Sequence, residues 1–174
     1  MTKVTLNHPT KEANHQYDCE NITVRVYQDS SLACQKIGDE IIDQINQKSA
    51  SKPFVLGLAT GSTPIKIYQH LIQAYKEGKV SFANVHSFNL DEYFPMDPKS
   101  IHSYVEFMHK NFFDHIDIPK ENIHIPDGTI APDEIDHYCK SYEEAIQSLG
   151  GIDIQLLGIG RTGHIGFNEP GSAI

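Results

Sequence analysis

The chain has 174 residues, 39% of them apolar and 21% charged, the balance of an ordinary globular domain with enough material for a core. Its net charge of −9 argues against a broad nucleic-acid surface, and it holds no apolar run long enough to span a membrane. Three widely spaced cysteines, Cys19, Cys34 and Cys139, form no C-x-x-C pair, which fits reduced thiols in a cytoplasmic protein better than a disulfide frame or zinc site.

Residues 1–20 are polar and lack periodicity, and they read as an irregular N-terminal extension. Residues 22–27 alternate and predict a strand. Asp29 or Ser30 can cap the helix that follows, whose apolar face carries Leu32, Ala33, Ile37, Ile41, Ile42 and Ile45. Residues 53–58 form a second, continuously apolar strand, so strand, helix and strand predict a parallel crossover. Pro64 opens a helix through Ile65, Ile67, Leu71, Ile72 and Tyr75, with a stop at Gly78. A third strand over residues 84–89 leads through Pro95 and Pro98 to a helix at about 100–115. A short strand at 123–125, an amphipathic helix at 132–149 and a strand at 152–157 complete the order. With no repeats and no linker, residues 21–174 read as one doubly wound α/β unit: a mostly parallel sheet with helices on both faces.

Three strand ends carry the chemistry. Open α/β sheets bind ligands beyond the carboxyl ends of their strands. Thr60, Gly61, Ser62 and Thr63 stand between a strand and a helix's positive pole, where hydroxyls and backbone N–H groups can cradle a phosphate; no P-loop lysine follows. An ordinary capped turn is the plainer alternative. Asp91 and Glu92, beside Tyr93 and Phe94, can house a general base with a shifted pKa or form a solvated turn. The last strand runs into Gly-Ile-Gly-Arg-Thr-Gly-His-Ile-Gly-Phe-Asn-Glu-Pro, which sets His164 and Glu169 behind three glycines.

Gly158, Gly160 and Gly163 also match the dinucleotide fingerprint, but that reading needs a helix to open at the third glycine. Gly166, Pro170 and Gly171 break any such helix, and the fingerprint is set aside. The ten histidines include no H-E-x-x-H, and no carboxylate or histidine spacing demands a metal.

Taken together, Leu-Gly-Leu-Ala-Thr-Gly-Ser-Thr-Pro, Ser-Phe-Asn-Leu-Asp-Glu-Tyr and Gly-His-Ile-Gly-Phe-Asn-Glu-Pro, with Phe-Met-His-Lys-Asn-Phe-Phe-Asp-His between them, resemble the glucosamine-6-phosphate deaminase family over roughly residues 21–173. The resemblance implies a Rossmann-like fold, a cytoplasmic homo-oligomer, a sugar-phosphate substrate, and neither cofactor, nucleic-acid partner nor membrane. It implies that His164 opens the pyranose ring, Glu169 orients that imidazole, Asp91 moves the proton at C2, and residues 60–63 hold the substrate. The family carries Asp or Asn at the position of Thr162; threonine hydrogen-bonds without supplying charge, so Thr162 is left without a catalytic role. The family also continues past residue 174 with further sheet and basic residues. The chain is therefore expected to be an N-terminal piece that is poorly active alone. A 6-phosphogluconolactonase-like hydrolase and a non-catalytic sugar-phosphate sensor are the rival readings.

Overall fold

The computed structural model describes residues 15–19, 22–49 and 51–172; the expectation for residues 1–14 lies outside them. Four strands make a parallel sheet: β3 (Phe54–Leu58), β4 (Val85–Asn89), β5 (Ile123–His124) and β6 (Ile154–Gln155), in the spatial order β5-β4-β3-β6. The helices are α1 (Ser30–Gln47), α2 (Ile65–Lys76), α3 (Tyr104–Asn111) and α4 (Ile135–Ser148).

All five residues of β3 are buried, as its unbroken apolar run requires of a central parallel strand. Pleating sends Phe54, Leu56 and Leu58 to one face, where they pack with Ile41 of α1, Tyr68 and Leu71 of α2 and Met108 of α3. Burying one such side chain contributes about 1.5–3 kcal/mol relative to leaving it exposed. The Tyr68 ring stacks on Phe112 with centroids 4.9 Å apart. On the opposite face Phe88 meets Tyr142 of α4 edge-on, and the Tyr142 hydroxyl reaches the carbonyls of Asn89 (2.9 Å) and His124 (3.1 Å). Helices therefore cover both faces.

The alternating segment pairs differently from expectation. β2 (Ile22–Val26) runs antiparallel to β1 (His15–Cys19), with His15 opposite Val26, and both lie outside the parallel sheet. Only two residues separate the strands, a hairpin connection rather than a crossover. Arg25 and the exposed Val26 also give β2 none of the continuous apolar character of a buried parallel strand. Part of the expected irregular extension is thus a strand.

Two further elements are shorter than their patterns. α3 starts at Tyr104, where the Ser103 hydroxyl caps it by accepting from the Glu106 N–H (3.0 Å). It ends at Asn111 because Phe112 leaves the helical region, at φ −147° and ψ −64°, although its N–H still donates to the Met108 carbonyl (2.9 Å). The chain passes instead into a 3₁₀ turn at Phe113–His115. β6 keeps two paired residues of the expected six.

Beside Tyr142, the His86 and His124 rings stack 5.9 Å apart, and His124 lies 4.2 Å from Phe88. Burial lowers both imidazole pKa values, and the His86 charge lowers that of His124 further. Below about pH 6.5 the unfolded chain therefore takes up protons that the folded chain resists. Stability is expected to fall as pH drops through that range. Thermal melts between pH 8 and 5 check this: His124→Leu should flatten the acid-side decline, and an unchanged slope would refute it.

Candidate active site

Because β4, β3 and β6 are neighbours, their carboxyl-terminal loops lie side by side. They wall one cavity of about 680 Å³ lined by residues 60–64, Asp91, Tyr104, Gly160 and His164, among others. Each of these loops was legible as chemistry-bearing; the structure brings them together.

After β3, Gly61 adopts φ +117°, a left-handed conformation that suits glycine, and the chain turns directly into α2. No side chain caps α2: Pro64 occupies the N-cap position, whereas Asp29 caps α1 by accepting from the Ser31 and Leu32 N–H groups at 2.8 and 2.9 Å. The hydroxyl cap of the plainer reading of residues 60–63 is therefore not formed. The first-turn N–H groups of α2 lack a side-chain acceptor, and their dipole favours an anion.

After β4 the two adjacent carboxylates divide. Glu92 turns away: one oxygen accepts from the Tyr93 N–H (2.8 Å), the other from the N–H groups of Tyr104 (2.8 Å) and Val105 (3.3 Å) at the start of α3. Its charge stabilises that helix's positive pole. Asp91 lines the cavity instead, and burial first, then the charge of Glu92, raise its pKa above the ordinary carboxylate value.

The glycine loop supplies the third wall, and no helix follows Gly163 among the described residues. Gly160 donates its N–H to the His164 carbonyl (2.9 Å), folding the loop back on itself. The imidazole then lies so close that a Cβ built on Gly160 would fall 2.0 to 2.4 Å from three ring atoms. At Gly166 (φ +59°) the backbone passes against Asp91, where a Cβ would lie 3.1 Å from its Oδ2. A Cβ at 160 would displace the imidazole, and at 166 the conformation favours glycine. Glu169 Oε1 stands 3.4 Å from His164 Nδ1, while Thr162 Oγ1 is 2.9 Å from both that nitrogen and Glu169 Oε2.

Gly160→Ala is expected to push the imidazole aside while leaving the sheet intact. Misplacement of a reacting group by about 1 Å costs on the order of 10²-fold in rate. Paired activity and circular-dichroism measurements check it; retained activity would show that the ring position is not critical.

One cavity residue escaped the sequence reading. Tyr104 begins α3, its hydroxyl faces those of Tyr93 and Thr60, and burial first, then Tyr93, push its pKa up to about 12 against the opposing hydrogen bond of Thr60, so it remains a proton donor at neutral pH. The Tyr93, Tyr104 and Phe167 rings pack at centroid distances of 5.0, 5.2 and 6.1 Å, tying the Asp91 loop to the His164 loop. Ser103 as a helix cap was the available signal for Tyr104, hidden by the overlong helix expectation.

A parallel α/β sheet with acid–base side chains and an uncapped helix start gathered at its strand ends has the arrangement in which open α/β sheets hold ligands. Within it the chain is assigned by similarity: residues 28–167 match the family described as glucosamine-6-phosphate isomerases/6-phosphogluconolactonase, and the chain belongs to that family. It is 53% identical over 140 residues to a glucosamine-6-phosphate deaminase of Thermoanaerobacter sp. (strain X514), covering 80% of this chain and 53% of that one. With the Oceanobacillus iheyensis enzyme of the same name it shares 54% over 144 residues, 83% of this chain and 54% of that one. The chain thus spans about half the length of the curated relatives it matches. A solved structure of a monomeric glucosamine-6-phosphate deaminase superposes with TM-score 0.77 at 41% identity, covering 84% of this chain and 59% of that one. A 6-phosphogluconolactonase from Thermotoga maritima superposes with TM-score 0.63 at 26% identity, over 79% of this chain and 59% of that one. Among the described residues no helix is long and apolar enough to cross a membrane.

Proposed function

We propose that the protein carrying this chain converts glucosamine 6-phosphate and water to fructose 6-phosphate and ammonia. The observation that carries this reading is that Asp91 and His164 face one cavity whose floor includes the uncapped start of α2. Two separate acid–base groups and an anion seat suit an aldose–ketose rearrangement on a sugar phosphate. Lactone hydrolysis needs a single base to activate water, so it leaves Asp91 without a task.

The sugar phosphate rests on the N–H groups and hydroxyls of Thr60, Gly61, Ser62 and Thr63. His164 takes the proton from the anomeric hydroxyl and returns one to the ring oxygen, opening the pyranose to the aldehyde; Glu169 orients the ring and balances its charge. Asp91 removes the C2 proton, giving an enolamine, and a proton then enters at C1. The resulting C2 imine takes up water and releases ammonia, leaving the ketose. The raised pKa of Asp91 suits this step, because a stronger base abstracts a carbon-bound proton more readily. No group beyond the chain's own residues is invoked. A cytoplasmic homo-oligomer completes the proposal, and light scattering tests its assembly.

The test is a pair of assays on the protein: ammonia release from glucosamine 6-phosphate and hydrolysis of 6-phosphogluconolactone. Ammonia release without lactonase activity is expected. Lactone hydrolysis alone would replace this reading with the hydrolase one, and ligand-induced stabilisation without turnover would replace it with the sensor.

A further inference from the structure

The Thr162 hydroxyl lies between the two charged-capable groups of the glycine loop, 2.9 Å from His164 Nδ1 and 2.9 Å from Glu169 Oε2. A hydroxyl has one proton to give, and an ionised carboxylate can only accept. The proton therefore points to Glu169, and the oxygen must accept from the imidazole. That requires a proton on Nδ1, which the approach of Glu169 Oε1 to the same nitrogen (3.4 Å) also favours. Nε2 makes no hydrogen bond among the described residues, and His164 lines the cavity.

We propose that Thr162 is a positioning residue: its hydroxyl is a neutral relay from Glu169 that holds His164 in the Nδ1–H tautomer and leaves Nε2 as the base. This role rests on the proposed ring opening for its purpose, but not for its geometry. Which ring nitrogen carries the proton is set by the partner of the other one. A neutral imidazole with a bare Nε2 can take a proton from a sugar hydroxyl and hand it back. The opposite tautomer would present an N–H and could only donate. Threonine also adds no charge, so the relay reaches the ring with a single carboxylate, that of Glu169.

Thr162 is thus the position at which this chain achieves with a hydroxyl what a carboxylate could do by charge. The branched side chain restricts χ1 and keeps the relay preorganised. Serine would preserve the hydrogen bonds with looser aim, and valine would preserve the shape without them.

The ring nitrogens report this directly. ¹⁵N NMR of the chain, at a pH where His164 is neutral, is expected to show a pyrrole-type Nδ1 and a pyridine-type Nε2. In Thr162→Val the Nδ1–H signature should weaken in favour of Nε2–H, and Thr162→Ser should restore it. In turnover assays the valine variant should lose at least tenfold on cyclic substrate, with exchange on an open-chain analogue largely kept and serine recovering most of the loss. An Nε2–H tautomer in the parent chain would overturn the proposal. So would ring shifts in Thr162→Val identical to the parent's, since Glu169 alone would then fix the tautomer. These spectra do not depend on which substrate is turned over, so a failure here is separable from a failure of the deaminase reading.

Discussion

Asp91→Asn should abolish solvent-deuterium exchange at C2 of glucosamine 6-phosphate while leaving substrate affinity within about tenfold, or 1.4 kcal/mol. General-base removal of a carbon-bound proton contributes on the order of 10²–10⁴-fold, and no neighbour can take it over. Glu92 is the obvious substitute by sequence, but both its oxygens are committed to backbone N–H groups at Tyr93 and the start of α3. The raised pKa fixes two further signs. The exchange rate of the parent protein should rise with pH through a range above that of an ordinary carboxylate, as Asp91 loses its proton. Ionised Asp91 also costs stability, because a folded-state pKa above the unfolded one favours the native state at low pH and loses that contribution as pH rises. The asparagine variant, which cannot ionise, should therefore melt at or above the parent temperature at neutral pH. Exchange undiminished in this variant would remove Asp91 from the mechanism.

For His164→Gln the expected effect depends on the substrate's form. Turnover of the cyclic sugar should fall by about 10²–10⁴-fold, because glutamine keeps a polar side chain without a titrating base. Exchange at C2 of an open-chain analogue should fall far less, since that step belongs to Asp91. Equal losses on both would show that His164 does not serve ring opening. The two variants should also combine simply in binding: the phosphate seat at residues 60–63 is on a different loop from either side chain, so affinity for inorganic phosphate should stay close to the parent's.

What the sequence made legible followed the strength of local signals. Residues 54–58 form a buried strand because nothing in them could face water, one residue shorter than the expected 53–58, and the glycines before His164 announced a tight loop. Gly78, at φ +70°, closes α2 as its position suggested. Less visible was anything decided by a distant partner. β2 is alternating and looked like a sheet strand, but its partner β1 reads His-Gln-Tyr-Asp-Cys, which has no strand pattern of its own. The amphipathic segment at 100–115 hid a break, because periodicity does not reveal that the backbone leaves the helical region at Phe112. Asp91 and Glu92 were indistinguishable until the fold brought the N–H of Tyr104, 12 residues on, against one of them. Thr162 was judged by its lack of charge, whereas its contribution is a bond direction that only the geometry of the closed loop defines.

The reaction turns on proton transfer at carbon, and the carbon itself records it. With glucosamine 6-phosphate in deuterium oxide, the protein is expected to release ammonia and deliver fructose 6-phosphate carrying solvent deuterium at C1, read by NMR of the isolated product. Substrate consumed with no carbon-bound deuterium, or a product that keeps its nitrogen, would contradict it.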